Sequence, residues 1–174
     1  MHAAAHLCLA AALAAIAASA QAGGPPTLLG ASRNWTAYQA NTPDGKVCYA
    51  VAMPAGTQPK KLARDAIYVI ISTWPDRNVT DEMQIVPGYQ YKDGRPVVAQ
   101  VGSHKASFFT QNDGPAGMAW AEDAADESSL VAAMHDAATM VVTGTSKRGT
   151  KTTDTYALAG LDSALVRAHA ACQK

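Results

Sequence analysis

The sequence predicts a mainly β domain with antiparallel strands, and three observations predict it. Short segments rich in Val, Ile, Tyr, Trp and Thr recur along the chain, separated by turn residues at spacings typical of antiparallel β domains. Asp44-Gly45 and Gly102-Ser103-His104 supply hairpin chemistry between such segments. Only two stretches break the two-residue period, and these read as short amphipathic helices.

In chain order, positions 23–32 (GGPPTLLGAS) are rich in Gly and Pro and have no period, so they predict a flexible arm ahead of a single domain spanning 33–174. Positions 35–39 and 47–53 form the first hairpin around the Asp-Gly turn. The continuous apolar run at 66–71 predicts a central strand covered on both faces. Further strands are expected at 83–86, 89–91, 96–101, 105–110 and 118–121. At 126–138, Leu130, Ala133, Met134 and Ala137 fall at helical spacing, and Asp126 and Glu127 complement the helix N-terminus. A last hairpin pairs 139–143 with 152–158, its tip bracketed by Gly144 and Gly149. The C-terminal helix is expected at 162–172 with Asp162 as N-cap, placing Leu161, Leu165, Ala168 and Cys172 on one face turned to the core.

Residues 1–22 are different material. They hold no Asp, Glu, Lys or Arg, and 18 of them are apolar. The apolar stretch from Leu7 to Ala18 is too short to cross a bilayer, which takes about 20 residues, and Ala20-Gln21-Ala22 has the small-x-small pattern of a signal peptidase site. A cleavable signal peptide ending at Ala22 is predicted, with a periplasmic or secreted, cell-surface-associated product. A buried Ala-rich helix is the competing reading. The n-region carries only His2 and His6 beside the terminal amine, and no lipobox follows Cys8. Removing the leader leaves Cys48 and Cys172, an even count in an exported chain and hence a candidate disulfide, two buried free thiols being the alternative.

Charge excludes one class of partner. With 14 Lys+Arg against 14 Asp+Glu and no basic run, the chain lacks the footprint that neutralises nucleic-acid phosphates. The segment Gly144-Thr-Ser-Lys-Arg-Gly149-Thr150-Lys151 looks like a phosphate loop, but Thr150 spoils the register and a strand, not a helix, follows. It reads instead as a solvated hairpin tip whose cations Lys147, Arg148 and Lys151 are available to an acidic partner. No metal or cofactor set is apparent, since His104, His135 and His169 share no face with another ligand. No nucleophile motif occurs in the mature chain. Asp123 with Asp126 reads as capping chemistry. Trp35, Trp74 and Trp120 could line a groove, although core packing is the commoner fate of large rings on strands.

Trp35, Val47-Cys48-Tyr49-Ala50 with Pro54 after it, Gly88-Tyr89, Ala119-Trp120 and Leu130-Val-Ala-Ala-Met134 belong to a larger pattern. Joined to Ser146-Lys-Arg-Gly149-Thr150, Asp154-Thr-Tyr156-Ala-Leu158-Ala-Gly160 and Cys172, they resemble the invasion associated locus B family of exported proteobacterial proteins over nearly the whole mature chain. The resemblance implies an immunoglobulin-like antiparallel β-sandwich, a periplasmic or surface location, and no known catalytic residues. Many members carry an extra cysteine soon after the first Trp; 36–42 holds none here, leaving Cys48 and Cys172 as the sole pair. The expectation is a non-enzymatic protein that binds a protein or envelope component through sheet edges or the Lys147-Arg148 tip, in a family named for host-cell invasion. The alternative is a small periplasmic ligand-binding protein or hydrolase with a site around Trp74 and Trp120.

Overall fold

A computed structural model of the chain describes residues 23–173; the predicted signal peptide at 1–22 lies outside them. Eleven strands form one antiparallel sheet: β1 Thr27–Ser32, β2 Trp35–Thr42, β3 Gly45–Ala52, β4 Gly56–Gln58, β5 Tyr68–Trp74, β6 Val79–Val86, β7 Val97–Val101, β8 His104–Gln111, β9 Met118–Ala121, β10 Thr139–Thr145 and β11 Lys151–Ala157. Helix α1 spans Ala124–Met134 and α2 spans Leu161–Cys172. The spatial order β1-β2-β3-β5-β6-β9-β8-β7-β10-β11-β4 shows that β4, although it follows β3 in the chain, pairs at the opposite end of the sheet. The two ends therefore approach each other. Trp35 of β2 donates its indole N–H to the carbonyl of Ala157 at 3.0 Å, and Asn34 N–H reaches the carbonyl of Ala159. Curled in this way, both halves of the sheet turn their inward residues into one core, from Trp35, Val69 and Met83 on one side to Phe108, Met140 and Tyr156 on the other. The mainly β, antiparallel architecture is the one the sequence predicts.

Both helices lie on the inner side. The small residues Ala37, Ala50 and Ala52 of β2 and β3 leave space that Leu161, Ala164 and Leu165 of α2 fill. Beyond them Ala168 and Cys172 close over Cys48, and the two sulfurs are bonded with Cα atoms 5.8 Å apart. Helix α1 packs Leu130, Val131 and Met134 on β7 and β8. Its cap is Asp123, whose carboxylate accepts from the N–H groups of Ala125 and Asp126 at 2.8 and 3.0 Å, as the capping reading of these acids requires.

Several boundaries differ from expectation. Thr27–Ser32, inside the segment read as a flexible arm, is strand β1, because the pairing partner β2 supplies the order that composition could not show. Strand β5 is central but covered on one face only: Val69 and Ile71 are buried, while Tyr68 and Ile70 look outward and are half-buried. Positions 89–91 make no strand beyond a single bridge from Tyr91 to Ser146. Helix α1 stops at Met134 rather than 138. Helix α2 starts one residue earlier than predicted, with Gly160 as its cap in place of Asp162, which instead meets His135 at 2.6 Å.

Candidate binding cleft

The β10–β11 hairpin ends in a tight tip at 146–150. Ser146 N–H donates to Thr150 carbonyl at 2.9 Å, Gly149 N–H to Ser146 carbonyl at 2.7 Å, and Thr150 N–H to Ser146 Oγ at 3.1 Å. The tip is fixed to the segment after β6. Lys147 N–H donates to the Gln90 carbonyl at 2.7 Å, and Lys92 N–H to the Thr145 carbonyl at 2.9 Å. Gly144 permits this approach, since a Cβ there would stand 2.9 Å from Tyr89 Oη and 3.1 Å from Tyr91 Cε1.

Under the tip lies a buried polar cluster. Arg64, from the loop between β4 and β5, grips Asp154 of β11 with both guanidinium nitrogens, one at 2.9 Å, and donates to the Pro87 carbonyl at 3.3 Å. The two side chains are only 3% and 4% exposed. The hydrogen bond to Asp154 holds the guanidinium pKa above its ordinary value, against the opposing effect of burial. Arg64 also lies over the Tyr89 ring at 5.7 Å, and Tyr89 Oη shares a 2.6 Å hydrogen bond with Thr152 Oγ1. The hydroxyls of Tyr91 and Tyr156 are buried without a partner among the described residues, and burial drives both well above the usual phenol range.

This cluster floors a cleft of about 370 Å³. Leu62, Ala63 and Pro115 give it apolar walls, Arg64 and Tyr89 its floor, and Lys147 and Arg148 its rim. Among the described residues no carboxylate lines it; the charge of Arg64 is met from beneath by Asp154, and Lys147 and Arg148 supply the uncompensated positive charge. The arrangement attracts an anionic group while offering apolar surface beside it. Two of its hydroxyls are tied into structure: Ser146 Oγ accepts the Thr150 N–H that shapes the tip, and Tyr89 Oη is bonded to Thr152.

Of the residues singled out from sequence, Lys147 and Arg148 stand at the cleft, whereas Lys151, the first residue of β11, is exposed and does not line it. The Cys48–Cys172 disulfide belongs to the α2 side of the core. Trp74 and Trp120 do not meet: Trp74 sits under Arg77 at 5.2 Å, and Trp120 stacks on Phe109. Trp35 is core. His135 caps the end of α1 and His169 lies on α2, each against a carboxylate, Asp162 and Asp81. Sequence reasoning missed Arg64 and Tyr91, and gave Tyr89, Asp154 and Tyr156 a place in the family pattern but no role at a site. One signal was present: in the alternating run of β11, Asp154 shares the inward face with Thr152 and Tyr156, and a buried acid demands a cation. Among the described residues no group of three or more His, Cys, Asp or Glu is placed to hold a metal ion, and no helix is long and apolar enough to cross a membrane.

Comparison with known proteins supplies a further finding. A family model described as invasion associated locus B (IalB) protein matches residues 35–169. The crystal structure of invasion associated protein b from Bartonella henselae is similar in fold, with a TM-score of 0.57 and 16% identity over 82% of this chain and 95% of that one. No curated protein matches the chain.

Proposed function

Since the chain belongs to the invasion associated locus B family, we propose that it is an exported, non-enzymatic protein of the bacterial envelope that binds an acidic partner in the cleft under the β10–β11 tip. The observation that carries this reading is the charge of that cleft: Lys147 and Arg148 stand at its rim without an ion-pair partner among the described residues, over a floor where the charge of Arg64 is already met by Asp154. In a chain whose formal charge is zero, such local excess is a directional signal for an anionic surface. The commitment of Ser146 Oγ to the turn supports binding over catalysis. The leader-like residues 1–22 and a disulfide both suit an oxidising compartment outside the cytoplasm. The family's name is the support for including a role at the host-cell surface in the proposal.

A photo-crosslinking residue in place of Gln90, introduced in the native cell, should capture a partner that mass spectrometry identifies as acidic at the contact. Replacing Lys147 and Arg148 together by Glu should abolish the adduct while leaving thermal stability unchanged within about 0.5 kcal/mol, as for most surface changes. Capture that survives the double replacement removes the cleft from the proposal. Export is tested separately by the mature N-terminus, expected at Gly23; a periplasmic fraction retaining Met1 overturns it.

A further inference from the structure

On the outward face of the sheet, register brings a second pair of aromatic rings together. Phe109 of β8 lies opposite Trp120 of β9, which lies opposite Gln84 of β6. The two rings stack with centroids 5.9 Å apart and planes 24° from parallel. They do not belong to the core, which takes Phe108 and Ala119 from the alternate positions; Phe109 is 44% exposed and Trp120 is half-buried. With Gln111, Glu82 of β6 and Glu127 of α1 they line an open cavity of about 270 Å³.

The cavity holds no described counter-charge of its own. The rings of Trp74 and Tyr89 each carry a guanidinium, Arg77 at 5.2 Å and Arg64 at 5.7 Å, whereas no described cation lies over Trp120 or Phe109. Like most acids of the chain, neither Glu82 nor Glu127 forms an ion pair among the described residues. Glu127 accepts the Met83 N–H at 2.6 Å, a bond that fixes its carboxylate where β9 turns away from β6. Burial, opposed by the Met83 N–H and reinforced by Glu82 and Asp81, raises its pKa, and a cation placed in the cavity would favour the carboxylate form. Ring faces and carboxylates around one small cavity are the complement of an organic ammonium: the π faces attract the cation and its apolar substituents, and the acids neutralise it.

We propose that the Trp120–Phe109 shelf, with Glu82 and Glu127 at its edge, binds an organic ammonium group, presented either by a lysine side chain of another protein or by a small methylated amine. The site is separate from the cationic cleft, and its test does not depend on that cleft's partner. Indole N–H signals of the three tryptophans in proton–nitrogen NMR spectra give the readout, with Trp35, hydrogen-bonded to Ala157, as the internal control. Titration with tetramethylammonium chloride should shift the Trp120 signal saturably, with a half-point in the millimolar range, and leave Trp35 unmoved. Glu82→Gln and Phe109→Ala should each weaken binding by about tenfold, the step expected of one lost contact worth a factor of ten. N-acetyl-lysine methylamide binding as well as tetramethylammonium assigns the site to a protein side chain; binding of tetramethylammonium alone assigns it to a small methylated amine. An equal shift with sodium chloride, a response to methyl glucoside in place of the ammonium, or no saturable shift overturns the proposal.

Discussion

Asp154 occupies an inward position of β11 where the chain can tolerate a charge only if a cation comes to it, and Arg64 does so across 90 positions of sequence. Arg64→Ala should therefore cost about 3–5 kcal/mol, the penalty of an uncompensated buried charge. Joint replacement of Arg64 by Met and Asp154 by Leu should recover most of that loss in urea unfolding. Tyr156 presents the opposite case, because its buried hydroxyl has no partner among the described residues. Tyr156→Phe should be neutral or stabilising, by no more than about 1–3 kcal/mol, the penalty of an unsatisfied group; a clear loss would reveal an ordered water on that hydroxyl. Glu127 adds a dependence on pH. Burial, opposed by the Met83 N–H and reinforced by Glu82 and Asp81, lifts its folded-state pKa above the ordinary value. A carboxyl that holds its proton more tightly when folded adds stability below its unfolded value and loses that contribution as pH rises through the folded value. Glu127→Gln, which retains an acceptor for Met83, should flatten this decline when stability is followed by urea titration across the acidic range.

Elements differ in how openly the sequence declares them. The hairpins were legible because turn chemistry and alternation coincide: Pro43 and Asp44 separate β2 from β3, and Gly102 and Ser103 separate β7 from β8. Strand β1 was not legible, because Thr27-Leu-Leu-Gly30-Ala-Ser32 has little pattern of its own and gains order from β2 and α2. The start of α2 was misplaced for a related reason. Asp162 is the better capping residue by chemistry, but the chain must turn sharply past Ser32, and Gly160 does so with φ at +98°. A Cβ there would fall 1.9 Å from the Ser32 carbonyl oxygen. Gly160→Ala should destabilise by more than about 1–2 kcal/mol, the cost of left-handed backbone alone, with the clash added. Calorimetry would measure it, and an unchanged melting temperature would show that the Ser32 segment yields freely.

For the whole molecule, local pattern revealed the class and not the connectivity. Nothing in Gly56–Gln58 announces that β4 leaves β3 to pair with β11, since the decision is made by closure of the sheet and burial of one common core. The cleft inherits this opacity: its rim was visible as a basic hairpin tip, whereas its floor joins Arg64 and Tyr89 from separate segments, with Asp154 of β11 holding Arg64 from beneath. The disulfide spans 124 positions, and the loop-entropy account gives a closure of that length about 4–5 kcal/mol before native-state strain is subtracted. Reduction, or Cys48→Ala with Cys172→Ala, should lower stability by about 2–4 kcal/mol in urea unfolding without changing the folded core. The same bond governs how the domain carries tension. A pull between β1 and the end of α2 enters the C-terminal side through sulfur at Cys172 and passes straight to Cys48, so everything between them is bypassed. About 400 Å of extended chain is thereby withheld from the stretch, and the load falls on the β1–β2 pairing and the short segment leading to Cys48. Under shear the domain would lengthen little until β1 peels away, and the β10–β11 tip would keep its shape while the molecule was being pulled.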